Sequence, residues 1–320
     1  MIEIYGARKV SVEKIRSAIG TRPGDVLPPR GDIEDRLDKI SGVLGSRAEA
    51  ECCDGRNMVL YVGVEEREAR HVEFHPAPMG TVTLPPDLLA SYRSFLDEVA
   101  ASIRGRNADE DLTNGYSLMA DPACRDLQSS FVPQVEANFV QIDQVVRESA
   151  DPEQRAAAAY LLQYGPRGPH TTVTLVNALQ WALRDSDDNV RENAMQALKA
   201  VAVGAKMHPD QQIHIEATWF VELMNSVVWS DRRGASLALV NLTESRDTET
   251  LALLRERAAP SVVEMARWHD LQHALPGFIL AGRLAGLDEN AIKTAWVSGD
   301  REPVLKKVLT KARKNRAASL

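Results

Sequence analysis

Two histidines, His269 and His273, stand four residues apart in the segment RWHDLQHAL. On a helix this spacing puts both imidazole rings on one face, which is the arrangement of two ligands of a metal ion. The zinc-protease motif with this spacing carries a glutamate after the first histidine, and here Asp270 stands in that position. Because the sequence identifies no third ligand, the pair is a weak candidate for a metal site, and no cofactor is predicted.

Motifs for nucleophilic or phosphate chemistry are missing from the sequence, which has no glycine-rich phosphate loop and no serine in a G-x-S-x-G motif. The three cysteines, Cys52, Cys53 and Cys124, are too few for a disulfide framework and too poorly spaced for zinc. Neighbouring strand residues point to opposite faces, so Cys52 and Cys53 should not bond each other. Cys124 has no histidine partner that the sequence identifies. We therefore predict a non-catalytic protein.

Composition excludes some classes of partner. A chain of 320 residues predicts two domains, and no apolar run approaches the length of a membrane-spanning helix. The net charge is −7, and because six bases fall within the last fifteen residues, the rest of the chain is more acidic still. An acidic body disfavours nucleic acid as a partner.

The first 66 residues read as a small mixed sheet with two helices. Alternating apolar residues predict strands in IEIY (2–5), RAEAECCD (47–54) and NMVLYVGVEE (57–66). Between the first two, VSVEKIRSAIG (10–20) and DIEDRLDKISGV (32–43) have the spacing of amphipathic helices. The last strand is apolar on both faces, as a central strand is. The predicted order is strand, helix, helix, strand, strand.

This segment resembles the POTRA (polypeptide-transport-associated) domain. The residues that carry the resemblance are Ile2, Ile4, Gly6, Val10, Lys14, Ile15, Gly24, Asp25 and the closing run Leu60 to Glu66. The resemblance implies a location outside the bacterial cytoplasm and contacts with other proteins, often through a partner strand added to the sheet edge. In that topology the edge strand is 47–54, and Arg47, Glu49, Glu51 and Cys53 are the candidate partner-binding residues. The alternative is that Glu49 and Glu51 protect the edge from pairing.

Residues 67–120 are predicted to connect two domains. PPDLLASYRSFLDEVAASI has a helical stripe of Leu89, Tyr92, Leu96, Val99 and Ile103. The polar stretch that follows matches no calcium loop, so a connector is the favoured interpretation.

Residues 121–317 carry helical periodicity and internal repeats. Three segments, ADPEQRAAAAYLLQYG, DSDDNVRENAMQALKAVA and WSDRRGASLALVNLTE, align on Arg155, Arg191 and Arg232. The offsets of 36 and 41 residues correspond to the length of a helix pair. The second helix of each pair begins near Asp151, Asp187 or, in a different register, Asp231.

These segments resemble HEAT repeats, which implies an all-α solenoid. Asp151 and Asp187 are expected to cap helices, while Arg155, Arg191 and Arg232 tie one repeat to the next. Trp219, Trp229 and Trp268 are candidate partner-binding residues of this array, since tryptophan is enriched in binding hot spots. The alternative is that they fill gaps between helices.

The predicted fold is an α+β domain (1–66), a connector (67–120) and an all-α array (121–317). The predicted function is a non-catalytic protein–protein interaction scaffold of the bacterial cell envelope whose partners are other proteins. It would be periplasmic if a signal segment was removed before Met1, and cytoplasmic otherwise. The alternative is a HEAT-like enzyme or nucleic-acid-binding protein, such as one similar to alkylated-DNA glycosylases.

Overall fold

The computed structural model describes residues 1–54, 57–105, 107, 109–211 and 213–318, and it leaves undescribed the side chains of 52–54, 57, 169, 211 and 311–318. The chain forms two compact units. The sheet unit contains Met1–Val72 and Phe220–Leu320, and the helical unit contains Glu73–Trp219. The first predicted domain thus shares a compact unit with the C-terminal helices. Among the described helices, none has both the length and the hydrophobicity needed to cross a membrane.

A three-stranded sheet begins the sheet unit. Its strands are β1 (Ile2–Tyr5), β2 (Val43–Asp54) and β3 (Asn57–Glu66). The strand order is β1-β3-β2, with β1 parallel and β2 antiparallel to β3. The central strand ends at Glu66, whose carboxylate accepts hydrogen bonds from the backbone N–H groups of Arg8, Lys9 and Val10. This glutamate therefore anchors the turn that follows β1.

Two helices, α1 (Val12–Ile19) and α2 (Arg30–Leu37), cover one face of this sheet. Ser11 caps α1 by accepting from the backbone N–H of Lys14, and Gly20 ends it in the left-handed region. The core between helices and sheet is aliphatic; it contains Ile15, Ile19, Ile33, Leu37, Leu60, Val62 and Val64. The predicted strand–helix–helix–strand–strand order is confirmed.

Helices make up the rest of the sheet unit. They are α9 (Trp229–Leu242), α10 (Thr248–Ala266), α11 (Leu271–Ala285), α12 (Glu289–Val297) and α13 (Glu302–Ala318). α10 packs mainly on α11 and α13. A combination of a small sheet with many helices is confirmed, as the sequence predicted.

The helical unit is built on longer helices. They are α3 (Pro86–Gly105), α4 (Pro122–Glu148), α5 (Pro152–Leu161), α6 (Pro169–Ala182) and α7 (Asp188–Met207), with a short pair of strands, β4 (Glu110–Asp111) and β5 (Leu118–Met119). A further helix, α8 (Thr218–Leu223), includes the point in the sequence at which the helical unit ends, between Trp219 and Phe220.

The segment predicted as a connector is fastened into the helical unit. The backbone N–H of Ser117 donates to the side-chain oxygen of Gln163 at 2.8 Å, and the Tyr164 hydroxyl donates to the Ser117 carbonyl at 2.8 Å. The N–H of Met119 donates to the Gln128 side chain at 2.6 Å. Because these groups are buried and hydrogen-bonded, the polar stretch is part of the packed unit.

Candidate functional site

The second face of the sheet packs against α9, α10 and α11, all within the sheet unit. This close approach depends on Gly63 in the central strand. A methyl group at Gly63 would lie 2.0 Å from the carbonyl oxygen of Val227 and 2.7 Å from the Tyr5 ring. The Tyr5 hydroxyl donates to the same carbonyl at 2.8 Å. Both faces of the sheet are therefore covered by helices.

Five ring-bearing residues meet on this face, and we call them the aromatic cluster: Tyr5, Tyr61, Trp229, Trp268 and His273. Tyr61 lies at the centre, with its ring centroid 5.0 Å from Trp229 and 5.0 Å from Trp268. The Tyr61 hydroxyl lies 2.6 Å from Nδ1 of His273. Because Tyr61 is fully buried, these contacts hold the sheet against the helices.

Two glutamates of the same sheet face bind helix starts. α9 follows Val228, which provides no side-chain cap, and the N–H of Trp229 instead donates to Glu49 of β2 at 2.8 Å. Ahead of α11, the N–H of His269 donates to Glu3 of β1 at 2.6 Å. The Trp229 N–H belongs to the first turn of α9, where helix N–H groups lack partners, and the His269 N–H lies just before the Asp270 cap of α11. A negative charge is favourable near both helix starts.

Burial changes the proton affinities of this cluster. It raises the pKa of the Tyr61 hydroxyl, lowers the pKa of the His273 imidazole, and raises the pKa of the Glu49 carboxyl. A raised tyrosine pKa and a lowered histidine pKa both disfavour transfer of the hydroxyl proton to the imidazole. The hydrogen bond between the two side chains therefore joins the central strand to α11.

The two histidines proposed as weak metal ligands have different partners. Nδ1 of His273 contacts the Tyr61 hydroxyl, and Nδ1 of His269 lies 2.9 Å from Glu3. Within the described part of the chain, no group of three or more histidine, cysteine, aspartate or glutamate side chains is placed to hold a metal. The geometry gives the pair a structural role.

The three repeat arginines make the same contacts, and we call them the arginine ladder: Arg155, Arg191 and Arg232. Each stands four residues after the N-cap residue of its helix, which is Asp151, Asp187 or Val228. Each guanidinium donates to the carbonyl two residues before that cap, in Ser149, Asp185 and Ser226 respectively. The ladder therefore fastens every second helix to the loop that precedes it.

Acidic side chains pair with Arg155 and Arg232 of the ladder. Arg155 makes two hydrogen bonds to the Asp185 carboxylate, at 2.7 and 2.8 Å, and both side chains are almost fully buried. Arg232 pairs with Glu264 of α10 at 2.8 Å. Glu264 also accepts from the N–H of Gly6 and from the Arg8 side chain, so it ties the end of β1 to the ladder.

Aromatic rings from extended segments cover two ladder arginines. In the sheet unit the Arg232 guanidinium lies 4.4 Å from the centroid of Tyr5 in β1. In the helical unit the Arg191 guanidinium lies 4.1 Å from Phe74, which precedes α3 in a segment without regular structure. These contacts add cation–π attraction to two buried charges.

A similar contact is made at the start of α11, which is not part of the three aligned segments. α11 is capped by Asp270, and Ala274 stands four residues later, where the ladder helices carry arginine. Arg301, which precedes α13, donates to the Trp268 carbonyl at 3.0 Å, two residues before the cap. The sequence repeat missed this residue, because Arg301 lies outside the aligned segments.

The predicted edge strand has an open side. The N–H of Leu60 donates to the carbonyl of Met1, which directly precedes β1, so the residues of β2 paired with Leu60, Val62 and Val64 direct their backbone groups away from β3. They are Ser46, Ala48 and Ala50. The Ser46 carbonyl accepts from Arg47 at 3.1 Å, and the Ala48 N–H donates to Glu34 at 2.9 Å.

At Ala50 the outward N–H and carbonyl have no partner among the described residues. Of the predicted edge residues, Glu49 caps α9, Glu51 is half-buried, Arg47 bonds its own strand, and the Cys53 side chain lies outside the described residues. The edge is thus protected at Ser46 and Ala48 and open at Ala50.

The three candidate tryptophans fall into different environments. Trp229 and Trp268 are buried in the aromatic cluster, and their indole nitrogens have no hydrogen-bond partner among the described residues. Trp219 belongs to the helical unit, where the Arg184 guanidinium lies 4.0 Å from its ring. Packing is the role that these positions indicate.

Comparisons with protein-family models, with curated proteins and with solved structures gave no match. The conclusions on function therefore depend on the geometry of this chain alone.

Proposed function

We propose that this protein is a non-catalytic protein–protein interaction scaffold that binds a partner strand at the outer edge of β2. The observation that carries the proposal is the outward-directed N–H and carbonyl of Ala50 on an edge strand of twelve residues. Helices cover both faces of the sheet, so a partner can extend the sheet only sideways. Backbone pairing at an open edge gives affinity without requiring a pocket.

The anchoring of the sheet favours this function. Tyr61 in the aromatic cluster, Glu49 at the start of α9 and Glu264 at the end of β1 hold the strands on three helices. An edge that is fixed before binding loses less conformational entropy when it pairs with a partner. The protected positions Ser46 and Ala48 would confine the added strand to the part of β2 beyond them.

The two family resemblances remain part of the proposal. The order of strands and helices in residues 1–66 supports a POTRA-like domain, and the arginine ladder supports HEAT-type repeats. If both hold, the protein would act in the bacterial cell envelope. Fractionation of cells that express the full gene would place the protein in the envelope or in the cytoplasm.

The binding proposal can be tested with a displayed library of extended peptides selected against the full chain. The variant Ala50→Pro removes an N–H that makes no ladder bond, so it should keep the fold and weaken selected peptides by roughly tenfold or more. Ala50→Val is the matched control, because it keeps the N–H, and it should bind like the parent. Equal binding by Ala50→Pro for every selected peptide would refute the edge as the site.

A further inference from the structure

The helical unit contains a cavity of about 680 Å³ beside α6. One wall is a face of α6 that runs from Gly168 to Gln180, and the other is formed by described residues of the segment after α7. At about 1.5 Å of rise per residue, the α6 wall is roughly 18 Å long. That length exceeds a single amino acid and corresponds to about five residues of extended chain.

The end of the cavity near the start of α6 is suited to an anion. Arg167 lines this end, and its guanidinium donates to the carbonyls of Gln163, Gly165 and Gly115. No carboxylate pairs with it within the described chain. Burial lowers the pKa of Arg167, as expected for a cation without a compensating charge.

Thr172 adds a donor one turn further along α6. Only 7% of its surface is exposed, yet its hydroxyl has no hydrogen-bond partner among the described residues, and it lines the cavity. Gly168, which precedes α6, also lines the cavity at this end. A desolvated cation and a free hydroxyl together form a site for one carboxylate.

The far end of the cavity carries negative charge. The N–H of Glu216 donates to the Gln180 side chain at 2.7 Å, which fixes Glu216 at the opposite end of the α6 wall from Arg167. The Glu216 carboxylate lies 2.9 Å from Nε2 of the exposed His214. With Asp210, the described residues of the whole lining hold two acids and one arginine, Arg167. This excess of acid disfavours dianions, and Glu216 at the far end favours a ligand whose second end is an ammonium group.

Between the two ends the lining is apolar with amide groups. Val173, Val176 and Ile213 supply the apolar surface, and Val173 is exposed to solvent over 59% of its surface. Asn177 makes no hydrogen bond within the described residues, so its amide is free to pair with a peptide group.

We infer that this cavity binds a short extended peptide of about five residues with free ends. Its terminal carboxylate would lie at Arg167 and Thr172, its terminal ammonium at Glu216, and its aliphatic side chains against Val173, Val176 and Ile213. This site is separate from the β2 edge, so either proposal can fail without the other.

Titration calorimetry of the full chain with the pentapeptide ALALA tests the inference. Four forms are compared: the free peptide, the N-acetylated peptide, the C-terminal amide and the doubly blocked peptide. Each block removes one charge-assisted contact, so each should weaken binding by roughly tenfold. Absence of binding by the free peptide at millimolar concentration, or equal binding of all four forms, overturns the inference.

Two variants locate the ends of the peptide. Thr172→Val removes the unpaired hydroxyl and should weaken the free peptide, whereas Thr174→Val, whose hydroxyl bonds the His170 carbonyl outside the cavity, should bind normally. Glu216→Gln should weaken the free peptide and abolish the additional loss caused by N-acetylation, since both changes break one contact. Independent, additive losses from Glu216→Gln and N-acetylation would place the ammonium elsewhere and overturn the assignment.

Discussion

The sheet unit and the helical unit both cover a buried arginine with an aromatic ring, but they hold that ring in different ways. Each contains a ladder arginine beneath an aromatic ring, Arg232 under Tyr5 and Arg191 under Phe74. In the sheet unit the covering segment is a strand, held by β3 and by Glu264. In the helical unit it is a segment without regular strands, held by the hydrogen bond from the His75 N–H to the Arg184 carbonyl and by an isolated bridge between Gly80 and Ser149. An aromatic ring on an extended segment can therefore cover a ladder arginine whether or not that segment belongs to a sheet.

Removal of a buried acid should produce the largest loss of stability. It tests whether the buried ion pair of the ladder dominates the stability of the helical unit. Asp185→Ala leaves Arg155 buried without its carboxylate, and the free energy of unfolding should fall by about 3–5 kcal/mol. Urea unfolding followed by circular dichroism measures the change.

The matched control is Glu153→Ala, which breaks the exposed pair of Glu153 and Arg93 in the same unit. An exposed pair contributes about 0–1 kcal/mol, so this variant should remain close to the parent. Similar losses of unfolding free energy for Asp185→Ala and Glu153→Ala would contradict the hypothesis that buried charges stabilise the ladder.

A methyl group at Gly63 tests the closeness of sheet and helices in the sheet unit. Gly63→Ala pushes against the Val227 carbonyl and the Tyr5 ring, and such overpacking should cost about 1–3 kcal/mol. Gly31→Ala is the control, because a methyl group there meets nothing within 4 Å. Tryptophan fluorescence during urea unfolding reports the loss through Trp229 and Trp268. An unchanged midpoint for Gly63→Ala would mean that the helices do not approach the sheet this closely.

Lowering the pH should slightly reduce the stability of both units, because each contains a histidine whose pKa is lowered in the folded state. Burial lowers the pKa of His273 in the sheet unit and of His75 in the helical unit. The unfolded chain then binds protons first, so the stabilisation present above a pH of about 6.5 is lost as the pH falls through the folded pKa. Each histidine contributes a slope of at most about 1.4 kcal/mol per pH unit.

Unfolding free energies of the parent and of His273→Gln, measured between pH 7.5 and 5, test this acid dependence. The variant should show a shallower slope than the parent. An equal slope in both proteins would assign the acid sensitivity to other groups.

Local patterns predicted the elements and the ladder, because the contacts involved are short in sequence. Each ladder arginine reaches a carbonyl only six residues away, so the repeated arginine was sufficient to identify all three positions. The aspartate cap four residues earlier is present before Arg155 and Arg191, whereas Val228 occupies that position before Arg232. The helix from Pro86 was predicted, but its buried stripe was wrong in part. Leu96 and Ile103 are exposed, whereas Leu88 and Phe95 are buried. A helix with apolar residues on adjacent positions does not reveal which of them faces its neighbours.

The site itself was only partly predictable. The sequence identified Glu49, Trp229, Trp268 and His273 separately, and the structure brings them to one sheet face. Tyr61 and His273 are 212 residues apart in the chain, and no periodicity relates them. The cavity beside α6 was missed as well, because its walls combine one helix face with a segment that has no repeating pattern.

The sheet unit consists of two separate segments of the chain, so its strands are synthesised well before the helices that cover them. A ribosome adding about 5–20 residues per second needs roughly 10–40 seconds to proceed from Tyr61 to His273. During that interval all of Glu73–Trp219 emerges and can fold, whereas the sheet face that carries Tyr61 still lacks the helices that cover it. Newly made chains would thus expose Tyr5 and Tyr61 to chaperones until the helices that carry Trp229 and His273 have been synthesised.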